Sequence, residues 1–366
     1  MTQPTIDGVA RAVLDLVADQ VERGWAVAVA SPAATDAFLA GLEERGAEYH
    51  RWPARRAPGP GSVLEAARLS RIVNRIGPDI VHLHSSKAGL AGRLAVRGQR
   101  PSVFQPHAWS FEAVDGLQRR AAVLWERIAA RWSHAIVCVS EEERRHGEAV
   151  GIRGAFRVIP NGVDLTAFTP ASPADRVAAR GRLGLTEAPL VVCVGRLSRQ
   201  KGQDVLLEAW PAVRAHVPDA RLVLVGEGPD RDRLERRAPP EVLFAGIRPD
   251  VPDWLAAADV VAAPSRWEGM SYALLEALAR ARSVVASDTA GAKEALGGRT
   301  KAIVPVEDAE ALADALVERL LDPALAAAEG QEGRAWVEER HDVRRSVAAV
   351  AALYVELSSS TRGPTP

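Results

Sequence analysis

Short runs of apolar residues recur along the chain, and between them apolar side chains return every three or four positions. Runs of four to six bounded by turn residues read as buried strands, and the wider spacing reads as helices. The pattern predicts a helix over 9–21, a strand over 25–30, helices over 36–44 and 63–76, a strand over 79–84 and a helix opening at Ser85. A strand over 101–105, a helix over 117–132 and a strand over 135–140 follow, and VIPNGVD at 158–164 closes the first half with a strand and an Asn-Gly turn. After a stretch rich in Pro, Ala and charge, the alternation restarts. Strands are predicted over 190–194, 221–225, 242–245, 260–263, 283–286 and 302–304, and helices over 203–215, 230–237, 251–257, 272–279, 309–321, 324–340 and 343–357.

Strands alternating with helices predict parallel sheets with crossover helices. A chain of 366 residues is too long for one ordinary core, so two domains are expected. The boundaries predicted are 1–165 for the first, 166–189 for a linker with one short helix, and 190–340 for the second. A helix over 341–357 is expected to pack back toward the first domain, and the tail 358–366 is too poor in apolar residues to order itself. The opening helix begins almost at the first residue. A doubly wound domain needs a strand ahead of it, so the pattern predicts a first strand cut away, Thr5 to Gly8 being its strand-to-helix loop, and a natural start lying upstream of Met1.

Composition narrows the classes. A net charge of −1 and a pI near 6.7 lack the basic excess of a nucleic-acid binder. Cys138 and Cys193 each sit inside a valine-rich strand pattern, which reads as two small buried residues in a reducing cytoplasm, not a disulfide. No long apolar run and no signal-peptide pattern is present, so neither a membrane span nor secretion is expected.

The candidate chemistry concentrates in PSRWEGMSYALLEALA, residues 264–279. A strand ends at Pro264, a polar loop follows, and a helix begins near Tyr272, which places Glu268 and Gly269 at the carboxyl end of a parallel sheet, where ligands bind. The amides of Gly269, Met270 and Ser271 open that helix, an arrangement that favours an anion. Glu276 lies eight residues beyond Glu268, and at about 1.5 Å per residue the carboxylates stand roughly 10 Å apart. That exceeds the roughly 5 Å of a retaining glycosidase pair and slightly exceeds the inverting range. It suits the two ends of an elongated ligand with an anionic middle, of which a nucleoside diphosphate sugar is one, although Glu276 taken alone reads equally well as a solvated helix acid. In VGRLSRQKGQDVLLEA, residues 194–209, Arg196 and Lys201 share one loop and can reach one phosphate cluster.

These motifs, with GEGPDRDRLE, FAGIRPDVPDWLAAADVVAAPSRWEGMSYALLEALA and IPNGVD, resemble family 4 of the retaining nucleotide-sugar-dependent glycosyltransferases. The resemblance covers nearly the whole chain and implies the GT-B fold, an α/β architecture of two Rossmann-like doubly wound domains facing across a cleft. It implies that Arg196 and Lys201 hold the diphosphate, that Glu268 contacts sugar hydroxyls, that the amides of Gly269, Met270 and Ser271 cap the phosphates, that Glu276 binds ribose, and that Ile247 and Arg248 lie near the base. On the N-terminal side, VHLHSSKAGLAGRLA and FQPHAWSFE resemble members that build exopolysaccharide or other surface glycans on lipid-linked acceptors. His107 matches a histidine beside the donor sugar, and Gly8 the loop approaching the diphosphate from the first domain. Catalysis is thereby assigned to His107, Arg196, Lys201 and Glu268.

The donor is a co-substrate, with a UDP-sugar favoured, and no cofactor or metal is expected. His82 and His84 alternate onto one side of a strand, but no third ligand at metal spacing accompanies them. In the helix over 117–132, Arg120, Arg127 and Arg131 form a stripe beside Leu124, Trp125, Ile128 and Trp132. That stripe fits either the cytoplasmic face of an anionic membrane or, the commoner case, a solvated face bordering the core. The family usually has two glycines where this chain has only Asp7-Gly8, and a glycine and a proline where Ala281 and Ser283 stand. If position 281 is left-handed, alanine costs about 1 kcal/mol there. Two other classes fit the same residues: a GT-B-fold sugar-nucleotide epimerase acting without an acceptor, and a catalytically idle sugar-binding protein.

Overall fold

A computed structural model describes residues 1–2, 7–32, 34–55, 59, 61–298 and 300–361. The chain divides into two units, Met1–Asn161 with Arg344–Pro366, and Gly162–Val343. The division falls inside VIPNGVD.

The first unit runs α1 (Asp7–Glu22), β1 (Ala28–Ser31), α2 (Asp36–Glu44), β2 (Glu48–Arg51), α3 (Ser62–Ile76), β3 (Val81–His84), α4 (Ser85–Val96), β4 (Ser102–Gln105), α5 (Gly116–Ala129), β5 (Ala135–Cys138), α6 (Glu141–Ala149) and β6 (Phe156–Val158). Strands β3 to β6 form a parallel sheet in that order, and β1 pairs with β2, also in parallel. Thr2 makes a parallel bridge to His84 and donates its N–H to Ala30 O at 3.1 Å, so it lies between β1 and β3. Helix α4 packs close to the sheet through glycines: a Cβ on Gly89 or Gly92 would come within 2.3 Å of Phe104 or 2.2 Å of Leu83.

The second unit continues with α7 (Pro173–Leu183), β7 (Leu190–Val194), α8 (Gln203–His216), β8 (Arg221–Val225), α9 (Arg231–Glu235), β9 (Val242–Gly246), α10 (Val251–Ala257), β10 (Val260–Ala263), α11 (Tyr272–Ala279), β11 (Ser283–Ser287), α12 (Ala292–Ala295), β12 (Ile303–Val304), α13 (Ala309–Leu321) and α14 (Pro323–Arg340); α15 (Val343–Thr361) returns to the first unit. Its parallel sheet has the order β12-β11-β10-β7-β8-β9. From central β7 the chain builds outward through β8 and β9, then reverses and builds through β10, β11 and β12 on the other side. The crevice at such a reversal is where open α/β sheets bind ligands. Val191, Leu222, Leu224 and Val260 of the sheet pack with Trp210 of α8 and Leu316 of α13 in one core.

Residues 166–189 are more than the linker expected from their composition. Ser172 and Asp175 form a reciprocal capping box at 3.2 and 2.9 Å, Pro173 opens α7, and Gly184 ends it in a left-handed conformation. The fully buried Arg180 then donates to Ala257 O at 3.0 Å, Ala188 O at 2.9 Å and Asp259 Oδ2 at 2.8 Å. Helix α7 therefore belongs to the unit's interior. Ser358–Thr361, expected in the tail, continue α15, with the hydroxyls of Ser358 and Ser359 bonded back to Val355 O at 3.1 and 2.9 Å; residues 362–366 lie outside the described residues. Three elements escape prediction: the edge strand β2, made by pairing with β1, the four-residue α12, and α6, whose start is set by Ser140 accepting from Glu143 N at 3.0 Å.

Candidate functional site

Strand β7 is wholly apolar and ends at Gly195, and the chain then turns through Arg196 into a 3-10 turn, Arg199–Lys201, before α8. Gly202 makes that turn possible. Its φ is +66°, and a Cβ there would lie 1.9 Å from Pro264 O, so the loop after β7 and the loop after β10 touch backbone to backbone. The Lys201 stem crosses Gly195, where a Cβ would meet Lys201 Cδ and Cε at 3.4 Å, and its ammonium reaches Glu268 Oε1 in a direct ion pair. Ser265 Oγ donates to the same carboxylate oxygen at 3.2 Å.

Further bonds stitch the two loops. Arg266 N donates to Gln200 O at 2.8 Å, and Gln200 Nε2 to Trp267 O at 3.1 Å. The Arg266 guanidinium donates to Arg199 O and to Asp204 Oδ1, each at 2.8 Å, and also meets Glu307. Arg196 Nη2 bonds Gln200 Oε1 at 3.3 Å. From behind, Gly291 presses on the loop: a Cβ there would fall 1.9 Å from Gly269 O and 2.7 Å from Met270 Cα. Ser271 caps α11 with extended backbone and no side-chain cap bond. Glu268 and Glu276 are both buried, each 8% exposed. The alternative of Glu276 as a solvated surface acid is thus corrected: α11 turns this face inward.

The structure therefore brings Arg196, Lys201, Glu268, Gly269, Met270, Ser271 and Glu276 onto two interlocked loops and the helix one of them opens, at the reversal of strand order. Ile247 and Arg248 follow β9, the edge strand on the far side of β8. Gly246 bends the chain there at φ +73°, Ile247 is 76% exposed, and Arg248 is held by Asp250 at 2.8 and 2.6 Å and lies over the Trp254 ring. The loop after β8 supports the Arg196 loop, with Leu197 N donating to Glu227 O at 2.9 Å and Gly228 set against Leu197 O. Sequence reasoning missed Ser265, Gln200, Asp204, Arg266 and Gly291. All except Gly291 lie inside stretches it had singled out, but their partners sit on another loop.

In the first unit, His84 ends β3 and His107 follows the adjacent β4. His107 Nε2 lies 3.1 Å from His84 Nδ1, the His84 and His82 rings are 3.9 Å apart, and His82 Nδ1 meets the Tyr354 hydroxyl at 2.5 Å. Burial pushes the pKa of His107 down to about 4 and those of His82 and His84 well below the usual imidazole range, so the cluster is neutral at pH 7. His107 has φ +59° and Ala108 φ +156°, a strained backbone of the kind found at ligand sites. Gly8 occupies the first turn of α1. Among the described residues no group of three His, Cys, Asp or Glu is placed to hold a metal ion, and no helix is long and apolar enough to cross a membrane. Both cysteines are buried free thiols, and burial pushes Cys193 up to about 12.

Comparison with known proteins adds three findings. The model of "Glycosyl transferases group 1" matches residues 188–322, and that of "Glycosyltransferase Family 4" matches residues 6–167. The GDP-mannose-dependent alpha-(1-6)-phosphatidylinositol monomannoside mannosyltransferase of Mycolicibacterium smegmatis is 38% identical over 310 residues, 79% of this chain and 79% of that protein. The GDP-mannose-dependent monoacylated alpha-(1-6)-phosphatidylinositol monomannoside mannosyltransferase of Corynebacterium glutamicum is 40% identical over 208 residues, 53% of this chain and 55% of that protein, so the chain spans about half the length of this second relative. Among solved structures, Anabaena Alr3699/HepE in complex with UDP and glucose superposes with a TM-score of 0.81 over 96% of this chain and 97% of that one, at 23% identity. At that identity the likeness speaks for the fold.

Proposed function

This chain belongs to glycosyltransferase family 4 and has the GT-B fold, and from that premise we propose that it moves a sugar from a nucleoside diphosphate sugar to an acceptor hydroxyl with retention of anomeric configuration, in glycolipid or surface-polysaccharide synthesis. The observation that carries the reading is the joining of Lys201 to Glu268 across two loops at the strand-order reversal.

In this reading Arg196, Lys201 and the amides of Gly269, Met270 and Ser271 receive the departing diphosphate, so that preorganised positive charge meets the negative charge as it develops. Glu268, already oriented by Ser265 and Lys201, accepts hydroxyls of the donor sugar. Glu276 takes the ribose, and Ile247 and Arg248 border the base. The first unit binds the acceptor, with neutral His107 as a hydrogen-bonding imidazole and Gly8 approaching the diphosphate. No covalent nucleophile is assigned: the leaving phosphate takes the acceptor's proton on the same face, without a metal. The enzyme works in the cytoplasm, peripheral to the membrane that holds its lipid-linked acceptor.

GDP-mannose is the donor we place first, because both relatives above are named GDP-mannose-dependent. A UDP-hexose, favoured by the sequence reading, is the second, supported by the UDP in the Anabaena complex. A thermal-shift screen across guanosine, uridine and adenosine diphosphate sugars tests this, since a ligand at a hundred times its Kd stabilises by about 2.7 kcal/mol. NMR of the product then reads the anomeric configuration. Turnover of the donor to an epimer without acceptor would favour the epimerase, and no shift with any donor would end the transferase reading.

A further inference from the structure

Three histidines and a tyrosine make one chain of contacts at the carboxyl ends of β3 and β4, the side on which parallel sheets take ligands. The buried Tyr354 of α15 meets His82 Nδ1 at 2.5 Å, and the His82 ring lies 3.9 Å from that of His84. His84, buried in its turn, brings its Nδ1 to within 3.1 Å of His107 Nε2. The sheet register makes this contact possible, because His84 lies opposite Gln105 and His107 follows closely. Among the described residues the His84 side chain has no other hydrogen-bond partner, and Nδ1 of the partly buried His107 has none. Of the six described non-glycine residues with positive φ, three surround the contact: Ser85 at +69°, His107 at +59° and Ala108 at +156°. Backbone of this kind persists only where its surroundings over-determine it. Both rings are neutral at pH 7, their pKa values pushed down by burial. Each therefore carries one N–H, so whichever role Nε2 of His107 takes toward His84, its Nδ1 takes the other.

We propose that His84 is a positioning residue for His107: by engaging Nε2 it fixes the orientation and the tautomer of the ring, and so presents Nδ1, in one hydrogen-bonding role, to a substrate hydroxyl. His82, itself held by Tyr354, backs the His84 ring. A hydrogen-bonding group set in advance at a reacting centre loses little freedom when the ligand arrives. The role in transfer rests on the function proposed above, whereas the holding of the ring does not.

Packing and hydrogen bonding predict opposite orders for two substitutions. Leucine fills the space of the imidazole but cannot bond, whereas asparagine is smaller yet carries its amide where Nδ1 stood. In His84→Leu, kcat/KM should fall at least about tenfold, toward the roughly hundredfold cost of a misplacement of about 1 Å. His84→Asn should retain most of the wild-type value, and nucleoside diphosphate affinity, read by calorimetry, should be unchanged in both. In a His107→Ala background His84→Leu should cost nothing further, because no ring is left to hold. Nitrogen-15 spectra of the histidine-labelled chain, with neither donor nor acceptor present, test the holding by itself: His107 should show one tautomer in the wild type and an average of two in His84→Leu. A mixture of tautomers already in the wild type would overturn the proposal whether or not the variants fold. So would one tautomer or an unchanged kcat/KM in His84→Leu, a larger loss for asparagine than for leucine, or an undiminished loss in the His107→Ala background. A single tautomer that depends on His84, in a chain that transfers no sugar, would uphold the holding of His107 while the function above fails.

Discussion

Gly291→Ala isolates the contribution of loop position to activity. Gly291 has φ −98° and ψ −3°, which alanine adopts without strain, so the substitution acts through space alone. The added methyl would stand 1.9 Å from Gly269 O and 2.7 Å from Met270 Cα, both backbone atoms, whereas ordinary contact begins near 3.4 Å. The loop must therefore retreat by at least about 1 Å, a misplacement that costs on the order of a hundredfold in rate, or about 2.7 kcal/mol of transition-state stabilisation. Overpacking of this kind destabilises by about 1–3 kcal/mol, too little to unfold a domain of ordinary stability. Steady-state kinetics with the donor found by the thermal-shift screen, calorimetric titration of its nucleoside diphosphate and a CD melt should show kcat/KM down about a hundredfold, weaker nucleotide binding and a folded protein. Gly181→Ala on α7, where a Cβ meets nothing within 4 Å, is the control and should leave kinetics unchanged. Wild-type kcat/KM and nucleotide affinity in Gly291→Ala would refute the claim that the loop of residues 264–271 holds the diphosphate.

Three further predictions follow from the site and its surroundings. Lys201→Met should lower kcat by about 10²–10³ and also lower Tm, because Glu268 is left buried beside an apolar chain; Lys201→Met/Glu268→Gln should recover Tm but not kcat, and recovery of both would make the pair merely structural. The imidazole of His107, its pKa pushed down from 6.5 to about 4, is protonated in the unfolded chain before the folded one. Its share of stability, at most about 3 kcal/mol, is full above pH 6.5 and drains as pH falls toward 4; urea melts at pH 7 and 4.5 should differ less for His107→Gln than for wild type, and an unchanged difference would count against it. Ala281→Gly should raise Tm by one to a few degrees, since a left-handed alanine costs about 1–2 kcal/mol against about 0.4–1 for glycine's freer unfolded chain; a lower Tm would mean that the buried methyl outweighs the strain.

Ala281 also illustrates how far local reading reaches. The helix before it ends in a Schellman motif, with Ala281 N on Leu278 O at 2.9 Å and Arg282 N on Ala277 O at 3.0 Å, and Ala281 has φ +56°. The absence of the expected glycine pointed to this strain from sequence. Strands β7 and β10 and helices α10, α11 and α13 have the predicted bounds, because each is an apolar pattern cut off by residues that end it. Helix α7 also carried its signals, a Ser-Pro-x-Asp start and a glycine stop, but composition outweighed them in the reading. Strand β2 carried none, because its Glu, Tyr, His and Arg form a strand only by pairing with β1.

Most of the strands and helices, their alternation into parallel sheets, and the placing of a glutamate-glycine loop and an arginine-lysine loop each at the end of a strand are legible in the residues alone. Those properties depend on neighbours a few residues apart, so they can be read locally. That the two loops meet follows from packing over long sequence distances. Lys201 and Glu268 are 67 positions apart, and they touch because β10 turns back to lie beside β7, while Gly202 and Gly291 let backbone pack on backbone. Likewise, the pattern along α5 left open whether its apolar residues face inward, and their exposure was decided by which side of the helix the remainder of the unit covers.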